Sequence, residues 1–258
     1  MEDYQLLIDL HKDADRQGPG GDAETKMAID ISIVDRAAPL KITDIGCGTG
    51  ASTLCLAQQL NAQITAVDFL PDFLEVLKSK ADRAGLSDKI STLAYSMDNL
   101  PFGDGEFDVI WSEGAIYNIG FEKGVTNWNR YLKVGGILVV SEITWITASR
   151  PSELQKHWEG EYPEIDVASS KIAVLEKNGY SPIGYFVLPE HCWLDNYMKI
   201  QVVNTKGEAK EQYELPVEIF GLSTNDTLVH QVYRYQVLNT LYPVAHTKDR
   251  SEVRKKLY

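Results

Sequence analysis

Seven residues, Asp44-Ile45-Gly46-Cys47-Gly48-Thr49-Gly50, narrow the choice of fold for this sequence. They follow an apolar run at 40–43 that predicts a strand, and they precede a run at 51–60 that predicts a helix. A strand, a glycine turn and a helix in this order are typical of a ligand-binding loop, because glycines let the backbone turn tightly and approach a ligand closely. The first turn of the helix then offers free N–H groups to that ligand.

The charge beside this loop favours one class of ligand over another. A dinucleotide loop has the spacing G-x-G-x-x-G and holds a pyrophosphate, whereas here the glycines are 46, 48 and 50 and Asp44 precedes them. A carboxylate at that position would repel a pyrophosphate and attract an ammonium group. The pattern D-x-G-C-G-T-G resembles the first motif of class I methyltransferases that use S-adenosylmethionine (SAM). The resemblance implies that the loop contacts the amino-acid part of SAM through Asp44, Gly46, Cys47, Gly48, Thr49 and Gly50.

From residue 40 onward, predicted strands alternate with predicted helices, which is typical of an α/β protein with a parallel sheet. We predict strands at 62–68, 90–94, 107–113, 133–142 and 183–188, and helices at 22–36, 71–85, 125–132 and 166–179. The family resemblance implies a Rossmann-like, doubly wound, seven-stranded and mostly parallel sheet with an N-terminal helical lid. The antiparallel seventh strand is expected at 228–239, a segment that also fits a helix. We expect a single domain, with a cap at 1–39, a SAM-binding core at 40–142 and an acceptor-site part at 143–258.

Three further segments are candidates for cofactor contacts. Asp68 ends the second predicted strand, where an acidic side chain binds ribose hydroxyls; the alternative is that it caps the helix beginning near Pro71. The segment at 96–102 resembles a family motif in which an Asp binds the adenine amino group. Together with the segment after the fourth strand, these positions give the further predicted contacts Asp68, Phe69, Met97, Asp98, Asn99, Ser112, Glu113 and Gly114.

Methyl transfer from a sulfonium ion needs the two reactants held in line and in contact, and proximity of that kind can supply roughly 7–11 kcal/mol of the barrier reduction. A general base helps when the acceptor must lose a proton. His191 and Tyr117 are the predicted catalytic residues. The alternatives are His157, Glu113 and Glu142, and for each a structural role is at least as well supported.

Composition excludes several classes of partner. The chain has 25 basic and 37 acidic residues, a formal charge of −12, which argues against nucleic acids and anionic membranes. No apolar run approaches the ~20 residues of a membrane span. The acidic N-terminus lacks the features of a signal peptide, so we expect a cytoplasmic protein. The three cysteines have no zinc-binding spacing, and no metal site is predicted.

The resemblance covers about residues 17–145 and is nearest to the branch of ubiquinone and menaquinone C-methyltransferases. It implies methyl transfer from SAM, with S-adenosylhomocysteine (SAH) as product, to a small-molecule acceptor that is aromatic or quinone-like. A turn at 16–21 resembles one that precedes a lid over SAM, although an ordinary loop fits equally well. An NAD-dependent oxidoreductase and a SAM-binding protein without transferase activity are the alternatives. The oligomeric state is left open, a homodimer included.

Overall fold

A computed structural model describes residues 8, 11–193, 199–203 and 209–214, the last two ranges by their backbone alone. The chain divides into two compact units. The first comprises 1–143 and 168–188, and the second comprises 144–167 and 189–258. No helix within the described residues is long and apolar enough to cross a membrane.

The first unit is built on a five-stranded sheet in the order β3-β2-β1-β4-β5. Its strands are β1 (Leu40–Ile45), β2 (Ala62–Asp68), β3 (Ile90–Ala94), β4 (Phe107–Ser112) and β5 (Leu132–Val140). All neighbouring pairs are parallel. The chain reverses direction across the sheet at β1, so the carboxyl ends of β1 and β4 meet at the point where parallel α/β sheets bind ligands.

Five helices belong to this unit, among the described residues. They are α1 (Asp22–Ile31), α2 (Ala51–Gln59), α3 (Pro71–Ala84), α4 (Phe121–Asn129) and α6 (Ala168–Lys177), and α5 lies in the second unit. Helix α3 ends as predicted at Gly85, whose φ of 67° is left-handed. Short 3₁₀ turns at Ser87–Lys89 and Ile116–Asn118 connect the longer elements.

Two apolar clusters bury the faces of the sheet. One joins strand residues such as Ile45 and Phe107 to Val125 and Trp128 of α4. The other joins Ile42 and neighbouring strand residues to α1 and α2. Because helices cover both faces, the strands are apolar along most of their length, and the predicted α/β class with a parallel sheet is confirmed.

Helix α1 is shorter than the predicted 22–36. It ends at Ile31, because the Ser32 hydroxyl donates to the Ile29 carbonyl (2.7 Å) and Ile33 takes a left-handed φ of 55° with 74% of its surface exposed. Gly21 is the N-cap of this helix, and Asp22 is its first residue.

Two other boundaries differ from the prediction. The helix expected at 125–132 is α4 (Phe121–Asn129), which starts directly after Gly120 and stops before Leu132 joins β5 opposite Phe107. The strand expected at 183–188 is not formed. The segment 228–239, expected as the antiparallel seventh strand or as a helix, lies outside the described residues.

The second unit contains short elements. A two-stranded parallel pair joins β6 (Thr144–Trp145) to β7 (Asp166–Val167), with α5 (Ser152–Glu161) between them in sequence. An antiparallel pair joins β8 (Lys199–Val203) to β9 (Ala209–Glu214). The segment 144–165 therefore contains one helix and one half of a strand pair.

Candidate functional site

The glycine loop follows β1 as predicted, and packing within the chain explains two of its glycines. Gly46 has a φ of 75°, and a Cβ there would lie 2.3 Å from the Cβ of Ala115. Gly50 has a φ of 89°, and a Cβ there would lie 2.1 Å from Leu77 Cδ1. Both positions require glycine for backbone conformation and for close contact, before any ligand is considered.

Asp44 is fully buried at the end of β1. Its Oδ2 accepts hydrogen bonds from Ser52 Oγ (2.8 Å) and Thr53 Oγ1 (2.6 Å) in the first turn of α2. Its Oδ1 is buried and has no hydrogen-bond partner within the described part of the chain. Burial raises the pKa of Asp44 to about 7, against the lowering effect of the two hydroxyl hydrogen bonds. A buried oxygen without a donor is costly, so the site is suited to an added donor.

Asp68 lies at the end of β2 and connects that strand to the loop. Its Oδ2 accepts the N–H of Gly48 (2.9 Å), and its Oδ1 accepts the N–H of Leu70 (2.9 Å). Burial raises the pKa of Asp68, although these backbone hydrogen bonds oppose the shift. The bond to Leu70 fixes the residue before α3, but Leu70 itself is the N-cap of that helix and no side-chain cap hydrogen bond is formed, so the capping alternative is wrong. Each carboxylate oxygen has a second acceptor position, so binding a hydroxyl is compatible with both bonds.

The segment before α1 lies on the glycine loop. Gln17 Oε1 accepts the N–H of Thr49 (2.8 Å), and Gln17 Nε2 donates to Thr49 Oγ1 (2.9 Å). A Cβ on Gly48 would lie 2.4 Å from the Gln17 Oε1 atom, and one on Gly18 would lie 3.7 Å from the Gly114 Cα. Sequence reasoning missed Gln17; its position beside the Gly-Pro-Gly turn was the available signal.

Glu113, a predicted cofactor contact, holds the same segment to the sheet. Its Oε2 accepts a hydrogen bond from Arg16 Nη1 in a largely buried ion pair. Its Oε1 accepts from Thr25 Oγ1 (2.8 Å) and from Trp111 Nε1 (2.8 Å). The three donors come from the N-terminal segment, α1 and β4, so this carboxylate fastens the segment at 16–21 to the end of β4. Arg16 was not anticipated from the sequence.

In the predicted adenine-binding segment, one residue packs against the core and its neighbours lie at the surface. Met97 packs against the core, and its carbonyl accepts the indole N–H of Trp128 (3.0 Å). Asp98 is 41% exposed and accepts from Ser96 Oγ (2.5 Å), and it lies 3.6 Å from Lys123 Nζ. The Ser96 hydrogen bond is the main cause that lowers the pKa of Asp98. The neighbouring Asn99 closes a turn through its N–H to the Ser96 carbonyl (3.1 Å).

Two predicted contacts at the carboxyl end of β4 hold strand ends together. Ser112 is buried, and its hydroxyl donates to the Ile45 carbonyl of β1 (2.8 Å). The N–H of Gly114 donates to Ser141 Oγ beyond β5 (2.6 Å). Cys47 is buried in the loop, and burial raises the pKa of its thiol well above the usual range, which agrees with a packing role.

The predicted catalytic residues are not brought together in one unit. Tyr117 lies in the 3₁₀ turn Ile116–Asn118 of the first unit. His191 is exposed and belongs to the second unit, where its Nε2 lies 3.7 Å from Cys192 Sγ. His157 is on α5 of the second unit, with its ring beside Trp158. Phe69, the predicted neighbour of Asp68, is exposed.

Comparison with known proteins finds similarity over the sheet of the first unit. Residues 43–140, from β1 through β5, match the family described as "Methyltransferase domain". A demethylmenaquinone methyltransferase of Bacteroides fragilis is 33% identical over 108 residues, which is 41% of this chain and 44% of that protein. The chain spans less than half the length of the first curated relatives that it matches.

Solved structures show the same fold over longer spans. A SAM-dependent methyltransferase from Geobacter sulfurreducens, in complex with SAH, superposes with a TM-score of 0.66 at 14% identity, covering 95% of this chain and 93% of that one. The [4+2]-cyclase SpnF superposes with a TM-score of 0.53 at 25% identity, covering 61% and 57% of the two chains. Residues 43–140 are therefore similar to a methyltransferase domain, and the chain shares its fold with a SAM-dependent methyltransferase of known structure.

Proposed function

We propose that the protein transfers a methyl group from SAM to a small-molecule acceptor. The observation that carries this proposal is an oxygen of Asp44 that is buried beside the glycine loop and has no hydrogen-bond partner among the described residues. SAM presents an ammonium group and a sulfonium, whereas NAD presents a pyrophosphate. A buried carboxylate is stabilised by a cationic donor and destabilised by an added negative charge. The site therefore favours SAM over a dinucleotide.

Other residues fit the remaining parts of SAM. Asp68 would accept the ribose hydroxyls while it keeps its bonds to Gly48 and Leu70. Asp98 and the backbone of Met97 and Asn99 would meet the adenine ring. The segment carrying Gln17 would limit water at the loop, because it is already fixed to Thr49.

When bound, SAM supplies an activated methyl group, and the chain has to position the acceptor in line with it. We extend the proposal to an aromatic or quinone-like acceptor, supported by the relative named a demethylmenaquinone methyltransferase. His191 and Tyr117 stay predictions as catalytic residues.

A second candidate function follows from one structural neighbour. SpnF, at 25% identity, is named as a cyclase. The fold thus occurs in a protein named for a reaction other than methyl transfer, and a SAM-binding protein that catalyses no transfer is the alternative.

Methyl-labelled SAM, incubated with the purified chain and a small-molecule cell extract, tests the proposal. We expect a labelled metabolite whose formation needs the protein and is inhibited by SAH. The NAD-linked alternative is tested in parallel by thermal shift, because a ligand that binds only the folded state raises Tm. Binding of SAH without any labelled metabolite would favour the non-transferring alternative.

A further inference from the structure

A buried ion pair lies beyond the carboxyl end of β5 and has no part in the proposed cofactor contacts. Lys171 Nζ of α6 is 2.7 Å from Glu142 Oε1, and the two side chains are 8% and 6% exposed. The same ammonium lies 4.9 Å from the ring centroid of Phe121 at the start of α4. The carboxylate is therefore held in one place by a buried cation that itself contacts an aromatic face.

Stability alone is a weak reason for such a pair. Burying two charges carries a desolvation penalty, and apolar residues of similar volume often stabilise a protein as well or better. The same unit contains an exposed counterpart, Glu122 and Lys177, with 2.8 Å between Oε1 and Nζ and side chains 52% and 73% exposed. The exposed pair joins α4 to α6 without burying charge. We therefore interpret the buried pair as having a function beyond linking α6 to the end of β5.

Glu142 is also close in the fold to the glycine loop. The preceding residue, Ser141, accepts the N–H of Gly114 through its Oγ (2.6 Å). Ala115, which follows Gly114, leaves no room for a Cβ on Gly46 of the loop. Glu142 therefore lies at the same edge of the sheet as the loop, two residues after β5. In parallel α/β sheets this edge binds ligands, so the buried carboxylate is fixed at the end of the sheet where an acceptor would bind beside the cofactor.

We propose that Glu142 is the general base for the acceptor, and that Lys171 is a positioning residue that orients it. This inference rests on the proposed methyl transfer. The acceptor atom uses an electron pair to bond to the methyl carbon, and the sulfur–methyl bond breaks with its electrons passing to sulfur. The acceptor's proton passes to the Glu142 carboxylate, which becomes neutral. The acceptor class is then a molecule with an acidic O–H, N–H or C–H.

The test compares labelled-methyl transfer into the same small-molecule extract by the full chain and its variants. We expect Glu142→Gln to lower the rate at least about 100-fold, as loss of a general base does, with SAH affinity close to wild type. The urea midpoint should fall, because Lys171 is left buried without its counter-charge. Lys171→Met should lower the rate as well, and Lys171→Arg should restore most of it. Glu122→Gln, which removes the exposed counterpart, is the matched control and should transfer label at the wild-type rate.

Several results would overturn this role. A Glu142→Gln variant that transfers label like the wild type excludes Glu142 as the base, and a large loss in His191→Ala alone would assign the role to His191. If Glu142→Gln does not fold, Glu142→Asp decides: a wild-type rate overturns the proposal, and a reduced rate at unchanged SAH affinity supports it. A wild type that binds SAH and labels nothing overturns methyl transfer itself, and this role with it.

Discussion

Asp44 and Asp98 are both predicted cofactor contacts, yet they lie in opposite surroundings. Asp44 is fully buried, has one oxygen without a donor, and has a pKa raised to about 7. Asp98 is 41% exposed beside Ser96 and Lys123, and its pKa is lowered. Water already solvates the exposed carboxylate, whereas the buried one depends on groups that the protein or a ligand provides. Although both residues are predicted from sequence motifs, we therefore expect them to contribute unequally to the free energy of cofactor binding.

The largest expected effect is on the pH dependence of the free energy of unfolding. The pKa of Asp44 is raised from 3.8 to about 7 on folding. The folded state then holds a proton that the unfolded chain has lost, so the contribution is full below pH 3.8 and disappears as pH rises through about 7. The free energy of unfolding without ligand should fall by up to about 1.4 kcal/mol per pH unit across that window. Urea denaturation at several pH values measures this slope.

The Asp44→Asn variant provides the control for that slope, because it has no carboxyl group to titrate at this position. Subtracting its pH profile from that of the wild type should isolate the contribution of Asp44. Parallel profiles for the two proteins would contradict an elevated pKa.

The second effect is on ligand affinity. Asp44→Asn replaces a buried charged acceptor by a neutral amide, and we expect SAH affinity at pH 8 to fall on the order of 100-fold, or about 2.7 kcal/mol. Isothermal titration calorimetry measures the change. If Asp44→Asn lost less SAH affinity than Asp98→Asn, the buried carboxylate would not be the more important of the two.

A third, smaller effect concerns the N-terminal segment. Gln17→Ala removes the hydrogen bonds to Thr49, so SAH affinity should fall about 10-fold, equivalent to about 1.4 kcal/mol. Gln155→Ala is the matched control, since Gln155 bonds only locally to Glu159 on α5 among its described contacts (2.7 Å). Equal SAH affinity in the two variants would show that the N-terminal segment does not contribute to cofactor binding.

The smallest effect is expected at Asp98. Asp98→Asn keeps the shape of the side chain at an exposed position where water competes for hydrogen bonds, so SAH affinity should change less than about 3-fold. The same calorimetric titration applies. A loss as large as that in Asp44→Asn would mean that the adenine end contributes as much as the buried end.

Apolar runs and glycine positions in the sequence predicted the strands, loops and helix ends that depend on neighbouring residues alone. The apolar runs of β1 to β4, the glycine loop and the end of α3 at Gly85 all lie where expected. The end of α1 depended on the Ser32 hydroxyl and on the conformation of Ile33, which no apolar pattern reveals. The segment at 183–188 is mostly apolar, but a strand also needs a neighbour to pair with.

The contacts that complete the candidate site could not be read from spacing. Gln17 and Thr49 are separated by 32 positions, and Arg16 and Glu113 by 97. Only the folded chain brings these pairs together. The sequence identified Glu113 correctly as a residue at the end of β4, but its three donors emerge only from the fold.

Calorimetric titration of the full chain with SAH and, separately, with NAD at pH 8 tests most directly whether the site around Asp44 selects a cationic amino-acid nucleoside. We expect each chain to bind one molecule of SAH and NAD to show no heat of binding. Saturable binding of NAD, or no binding of SAH, would contradict it.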